Sequence, residues 1–174
     1  MPQQRQSTGL SPVEKLTALH EVSKFRCGQN SLDHFLRRYA LENQAKDLSQ
    51  TYVTQRNQAV LGYYTLVYSS IAVDASPSSI SESMPPYRPV PVMLLACWAV
   101  HKQEQGNGIG RALLKDAFLR TLQAADIGGL RAILVDAIDD KMASFYRTHG
   151  FQDCPVGEHK LMISIQDVRA SLAL

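Results

Sequence analysis

Two short stretches of this chain carry residue types that could do chemistry. In the first, Gln105-Gly106-Asn107-Gly108-Ile109-Gly110-Arg111, glycines alternate with other residues and a cation follows. Glycine lets the backbone adopt positive φ and approach a ligand closely. A helical pattern begins at once, with apolar residues at Ile109, Leu113, Ala117 and Leu122. The first N–H groups of a helix have no partner inside it, and the helix dipole is positive there. The stretch is therefore either a structural turn or a cradle for a pyrophosphate, with Arg111 adding charge. Its G-x-G-x-G spacing fits neither the dinucleotide fingerprint nor the Walker loop, since no Gly-Lys-Ser/Thr follows. The second stretch runs from Ala143 to Phe151 and contains Phe145-Tyr146 and Gly150-Phe151. By itself Tyr146 reads as an aromatic core position.

Positioning these residues requires a strand before the loop and a helix after it. Met93 to Val100 is an apolar run of strand type, and His101 to Gln105 is a polar turn. The helix after the loop closes at Gly128-Gly129, and Arg131 to Ala137 is a second strand, apolar on both faces as buried parallel strands are. A helix from Asp139 or Asp140 carries Tyr146 and ends at Gly150. Phe151 to Asp153 and Lys160 to Ile165 read as the arms of a hairpin, and 166–174 as a short tail open to helix formation.

Before the central strand, residues 1–12 read as polar and loose, and Leu16 to Leu19 as a short strand. Phe25 to Gly28 is a turn, and a helix capped at Asn30 or Ser31 runs to about Lys46, with Leu32, Phe35, Leu36, Tyr39 and Asn43 on one face. Its other face carries Arg37 and Arg38, read first as an ordinary solvated surface. Strands over Thr51–Gln55 and Ala59–Tyr68 join at Asn57-Gln58 as a hairpin. Residues 74–91, rich in Ser and Pro, are expected to form an ordered loop with neither sheet nor helix, placed where a substrate could pass. The class is mixed α/β, an antiparallel start followed by strand–helix–strand–helix, in a single domain over 1–174.

Composition narrows the function. The chain has 174 residues, 45% hydrophobic and 20% charged, enough for a full core, and its net charge of +2 permits an acidic partner such as RNA or CoA without requiring one. Cys27, Cys97 and Cys154 are odd in number and unpaired in spacing, which supports neither a disulfide framework nor a zinc site. The five histidines are scattered, so no metal is expected. No apolar run approaches the ~20 residues of a membrane span, and no signal-peptide core begins the chain, so a cytoplasmic protein with no membrane contact is expected.

The pattern Q/R-x-x-G-x-G/A, here Gln105, Gly108 and Gly110, resembles the pyrophosphate loop of the GNAT acetyltransferases. The later Phe145-Tyr146-x-x-x-Gly150-Phe151 is similar to that family's segment whose tyrosine hydroxyl lies near the cofactor sulfur. Phe25 to Gly28, Leu32-Asp33 with Phe35-Leu36, Tyr52-Val53, Gly62 to Leu66, the proline-rich loop, Leu94 to Ala96 and Ala99-Val100 resemble the toxin branch of the family. The match spans about Leu19 to Ile165.

The resemblance implies the GNAT fold, a central mixed sheet flanked by helices. It implies acetyl-CoA as cosubstrate, held by backbone at Ala99 and Val100 and by Gln105, Gly106, Asn107, Gly108, Ile109, Gly110 and Arg111, with Tyr146 as the catalytic acid. It implies a toxin that acetylates the α-amine of the amino acid on charged tRNA and blocks translation. A homodimer is implied, with a cognate ribbon-helix-helix antitoxin that neutralises it, the pair binding operator DNA and repressing its operon. Arg37, Arg38, Lys46 and Arg88 are the candidate tRNA contacts. Where that branch usually has Arg-Leu-Ala-Val/Ile, this chain reads Cys97-Trp98-Ala99-Val100, with one cation fewer and more bulk. Two other functions stay open: acetylation of a protein N-terminus or small amine, and a weakly catalytic CoA-binding regulator.

Overall fold

The computed structural model describes residues 9–173. Among them lie β1 (Glu14–Lys15), α1 (Asn30–Arg38), α2 (Ala40–Ala45), β2 (Gln50–Arg56), β3 (Ala59–Ile71), α3 (Ser78–Ser81) and β4 (Val90–Val100). There follow α4 (Ile109–Ile127), β5 (Ala132–Asp136), α5 (Asp140–Thr148), β6 (Gln152–Asp153), β7 (Lys160–Ser164) and α6 (Ile165–Leu172). The strands form one sheet in the order β1-β2-β3-β4-β5-β7-β6. β4 and β5 are parallel, while β1–β2, β5–β7 and β6–β7 are antiparallel, so the sheet is mixed as expected. The β4–β5 register runs from Val92–Ala132 to Leu95–Val135 and ends there.

By their contacts the described residues form two compact units: one holds residues 9–65 with Cys97–Asp116, the other Leu66–Ala96 with residues 117–173. The first is built on a core of Leu16, Phe25, Leu36, Ala40, Val53, Val60, Tyr63 and Ala99. Its β2–β3 hairpin turns at Asn57 (φ 52°) and Gln58 (φ 70°), both left-handed, as a two-residue turn matched to strand twist requires. The expected strand at Leu16–Leu19 lies earlier, at Glu14–Lys15. A local turn replaces it: the Thr17 N–H donates to His20 Nδ1 (2.9 Å) and the Leu19 N–H to Thr17 Oγ1 (3.3 Å). Of the polar start, residues 1–8 lie outside the described residues. Ser11 is not loose, because its N–H donates to the Gln55 carbonyl (2.7 Å) and its carbonyl accepts from Thr54 Oγ1 (2.8 Å).

The helix expected over 30–46 is two helices, broken at Tyr39 (φ −120°). Leu36 and Ala40 face the core, so Tyr39 projects outward, 48% exposed, against the His34 ring at 5.4 Å. The N-cap is Gln29 rather than Asn30 or Ser31, and it makes no side-chain bond. Asp33 is buried, and its carboxylate accepts the Cys27 N–H at 2.9 Å.

The second unit is built on Ile71, Ile80, Val90, Val92, Ala132, Leu134, Cys154 and Met162. Within the proline-rich 74–91, expected to hold no helix, Pro77 leads into the single turn α3, where a missing N–H is harmless. α3 buries Ile80, and Arg131 pins it by donating from Nε to the Ile80 carbonyl (2.9 Å) and from Nη2 to Ser83 Oγ (3.1 Å). Pro91 stands inside β4, near its start, where a strand tolerates proline. The tail is helical: Ser164 Oγ caps α6 by accepting the Asp167 N–H at 3.0 Å. Among the described residues no helix is long and apolar enough to cross a membrane.

Candidate active site

The glycine loop begins where β4 ends in buried Ala99 and Val100. The His101 N–H donates to the Leu61 carbonyl and the Lys102 N–H to the Arg26 carbonyl, both at 2.8 Å, so the chain leaves the strand in a fixed direction. Lys102–Glu104 form one 3-10 turn, capped by His101 Nδ1, which accepts the Gln103 N–H (3.2 Å). Gln105 braces the loop with its side-chain amide, donating to the Val100 carbonyl (2.9 Å) and the Cys27 carbonyl (3.0 Å). Each such bond contributes about 1 kcal/mol net. Arg56 and Asn107 both bond Glu104, Arg56 at 2.8 Å, and hold its carboxyl below the usual range.

Gly106 and Gly108 both have φ of +85°, which L side chains rarely adopt, and a Cβ on either would meet nothing within 4 Å. Conformation therefore demands these two glycines, and the space above them is open. The Gly108 carbonyl accepts the Ala112 N–H (3.1 Å), so α4 starts immediately after it. The N–H groups of Ile109, Gly110 and Arg111 have no acceptor inside the helix. Free donors, a positive helix end and open space suit a pyrophosphate.

Gly110 answers to a different constraint. A Cβ there would lie 2.5 Å from Trp98 Cζ2 and 2.8 Å from Cη2, and Trp98 Nε1 donates to the Gly110 carbonyl at 3.2 Å. Gly62 on β3 is similar: its Cβ would lie 2.9 Å from Leu113 Cδ1 and 3.1 Å from Ile109 Cγ2. The start of α4 thus lies close against Gly62 of β3 and the Trp98 indole of β4. A lone glycine inside a strand pattern is the signal that could have shown Gly62. Behind the loop, the Cys97 thiol bonds to Tyr63 and Thr65, and burial pushes it up to about 11. Burial also raises the Tyr63 phenol far above its ordinary value, and its hydroxyl donates to the Leu32 carbonyl (2.7 Å). Position 97, where the resemblance implies an arginine, therefore holds a neutral thiol. Buried Tyr64, stacked on Tyr52 at 5.3 Å, donates to Asp116 of α4, a pair the sequence did not signal.

Tyr146 is set by the end of α5. Asp139 Oδ1 caps the start, accepting the Met142 N–H at 2.8 Å. At the other end the Phe151 N–H donates to the Tyr146 carbonyl and the Gly150 N–H to the Arg147 carbonyl, both at 3.1 Å, with Gly150 at φ +95°. This is a Schellman cap, which is usually accompanied by an apolar contact across it. Here that contact joins the Tyr146 and Phe151 rings at 5.2 Å, and Phe151 also meets Phe118 at 6.1 Å. The spacing of Tyr146, Gly150 and Phe151 is therefore the spacing of one helix cap, which buries the Tyr146 ring to 5% exposure.

A model of the acetyltransferase (GNAT) domain matches residues 47–153 of this chain. The chain belongs to the GNAT acetyltransferase family. As a GNAT enzyme it is an acetyl-CoA-dependent N-acetyltransferase. It is 40% identical over 163 residues to the tRNA-acetylating toxin of Mycobacterium tuberculosis, covering 94% of this chain and 97% of that protein. The solved structure of AtaT complexed with acetyl-methionyl-tRNAfMet matches with a TM-score of 0.84 and 28% identity, over 92% of this chain and 98% of AtaT. A mutant AtaT toxin bound to the C-terminus of the antitoxin AtaR matches with a TM-score of 0.81 and 25% identity, over 95% and 99% of the two chains.

The basic residues of this GNAT chain are only partly brought together. Arg37 and Arg38 line one open cleft of about 770 Å³ with Val22, Ser23, Asn30, Ser31 and His34, a residue not singled out from sequence. Arg37 is steadied by donating from Nε to the Asp33 carbonyl (3.2 Å). Lys46 pairs instead with Glu42 at 2.7 Å, and Arg88 lines a different cleft of about 450 Å³ beside Tyr87 and Asp74.

Proposed function

We propose that this protein transfers the acetyl group of acetyl-CoA to the α-amine of the amino acid on charged tRNA, and so blocks translation. The identity to the M. tuberculosis tRNA-acetylating toxin over nearly the whole chain carries this reading. The fold shared with AtaT, whose structure holds acetyl-methionyl-tRNAfMet, supports it. The whole chain would act as one catalytic domain.

Acetyl-CoA supplies an activated thioester. N–H groups from Gly106 to Arg111 hold its pyrophosphate, with the Arg111 side chain adding charge, while Gln105 keeps the loop in shape. Backbone at Ala99 and Val100 receives the pantetheine arm and polarises the thioester carbonyl. As the neutral amine nitrogen bonds to the acetyl carbon the C–S bond breaks, and the nitrogen gives up one proton to solvent water. The Tyr146 hydroxyl donates its proton to the departing sulfur and regains one from solvent. No carboxylate base is required. A free α-amine titrates near ~7.7–8.0, so a sizeable fraction is neutral near pH 7, whereas a lysine at ~10.4 would need far more help. Arg37 and Arg38 hold tRNA phosphates in their cleft, with Lys46 and Arg88 as further contacts. The toxin is a homodimer neutralised by a cognate ribbon-helix-helix antitoxin, and the complex binds operator DNA and represses its own operon. The AtaT structure with AtaR is the supporting likeness for an antitoxin partner.

The test is mass spectrometry of charged tRNA after incubation with acetyl-CoA. The expected product carries one acetyl group on the aminoacyl nitrogen, and cell-free translation stops and is partly restored by peptidyl-tRNA hydrolase. Because Cys97 supplies no cation, the assay is run in parallel on Cys97→Arg. Labelling of a peptide or small amine alone, by both proteins, would replace the toxin reading with a general acetyltransferase. Acetyl-CoA binding with no turnover of any acceptor would leave a regulator.

A further inference from the structure

We propose that Trp98 is a positioning residue for acetyl-CoA, clamping the first turn of α4 so that its free N–H groups keep one direction. The inference rests on the reading of residues 105–111 as the pyrophosphate site. A helix start frays readily, because its N–H groups lack internal partners. Here one rigid ring reaches up from β4 and holds Gly110 at two points. The ring edge occupies the volume a Cβ would need, 2.5 and 2.8 Å from Cζ2 and Cη2, and Nε1 donates to the Gly110 carbonyl at 3.2 Å.

That carbonyl belongs to the planar peptide unit whose other end is the Arg111 N–H, and in a trans peptide the two point in opposite directions. Fixing the oxygen against the indole therefore aims the Arg111 N–H away from the strand, along the donors of the loop. On the neighbouring strand β3, Gly62 seats Ile109 and Leu113, where nothing larger than hydrogen fits without displacement. The first turn is held by two adjacent strands before any ligand arrives, and such preorganisation raises affinity by removing the cost of ordering the donors on binding. Indole and glycine form a matched pair: the bulk of Trp98 requires the absence of a Cβ at Gly110.

The match is tested with the parent, Trp98→Leu, Gly110→Ala and the double variant, measuring acetyl-CoA Kd by calorimetry and the unfolding midpoint of each. Gly110→Ala is expected to raise Kd about tenfold and Trp98→Leu about fivefold, while the double variant binds no more weakly than Trp98→Leu alone. Multiplication of the two effects to about fiftyfold in the double variant would overturn the pairing. Lowered midpoints with parent Kd values would overturn it too, leaving Trp98 a packing residue. Gly108→Asp in the same series separates the two claims. If it abolishes binding while the four proteins share the parent Kd, only the clamp is lost; if it binds at the parent Kd, the pyrophosphate reading and the clamp fall together.

Discussion

The glycine loop and the end of α5 fix their functional groups by opposite means. The loop presents backbone donors on an exposed surface, and its shape comes from torsions at Gly106 and Gly108, a glutamine brace and a tryptophan beneath. The end of α5 presents one phenol on a buried ring, and its place comes from aromatic neighbours and a helix cap. A group fixed by backbone torsion is vulnerable to any added side chain. One fixed by packing tolerates the loss of its polar atom, because the ring remains seated.

The largest expected effect breaks the loop. Gly108→Asp puts a Cβ on a positive-φ residue and a carboxylate beside the anion donors, so acetyl-CoA should produce no measurable heat in calorimetry. Circular dichroism should show the fold intact, since Gly108 is exposed. Binding at parent affinity would reduce the loop to a turn. Next comes Tyr146→Phe, which keeps the ring and removes the proton. Turnover should fall by ~10²-fold, with acetyl-CoA Kd and unfolding midpoint nearly unchanged. Near-parent turnover, with chemistry limiting, would return Tyr146 to a purely packing role.

A smaller effect concerns the acceptor, which neither region holds. Arg37→Glu with Arg38→Glu should weaken the charged-tRNA reaction about tenfold and flatten its salt dependence, because fewer counterions are released. Acetyl-CoA Kd should stay at the parent value, and an unchanged salt slope would remove this cleft from the tRNA path. The smallest effect lies behind the loop. The Cys97 thiol titrates near 9 when unfolded and at about 11 when folded, so folding favours its neutral form. That contribution is complete below pH 9 and is lost as pH rises toward 11. The unfolding midpoint should therefore fall more steeply between pH 9 and 11 in the parent than in Cys97→Ala.

What was legible in the sequence follows from which forces write a local pattern. The loop, α4, β5 and α5 stood out because glycine torsions, helix caps and apolar periodicity are properties of neighbouring residues. The early helix was misread at Tyr39, and the first strand at Leu16–Leu19. There the outcome depends on which side chains the core admits and on a Thr17–His20 turn that competes with strand pairing. Pro91 looked like a barrier to the sheet, yet a strand accepts proline near its start. The three glycines seemed alike in sequence, but Gly110 differs from the other two for a reason twelve residues away in the chain, at Trp98. Cleft membership of His34 likewise depends on tertiary placement alone.

Trp98 is also the only tryptophan in the chain. All of the protein's indole emission therefore arises from one place, half-buried against the start of α4. The molecule carries its own optical gauge at the loop, with no dye or label needed. Emission wavelength, quenching by acrylamide and anisotropy each report whether that helix start is seated or released. A stopped-flow trace of the same signal would follow acetyl-CoA arrival in real time, before a single acetyl group has moved.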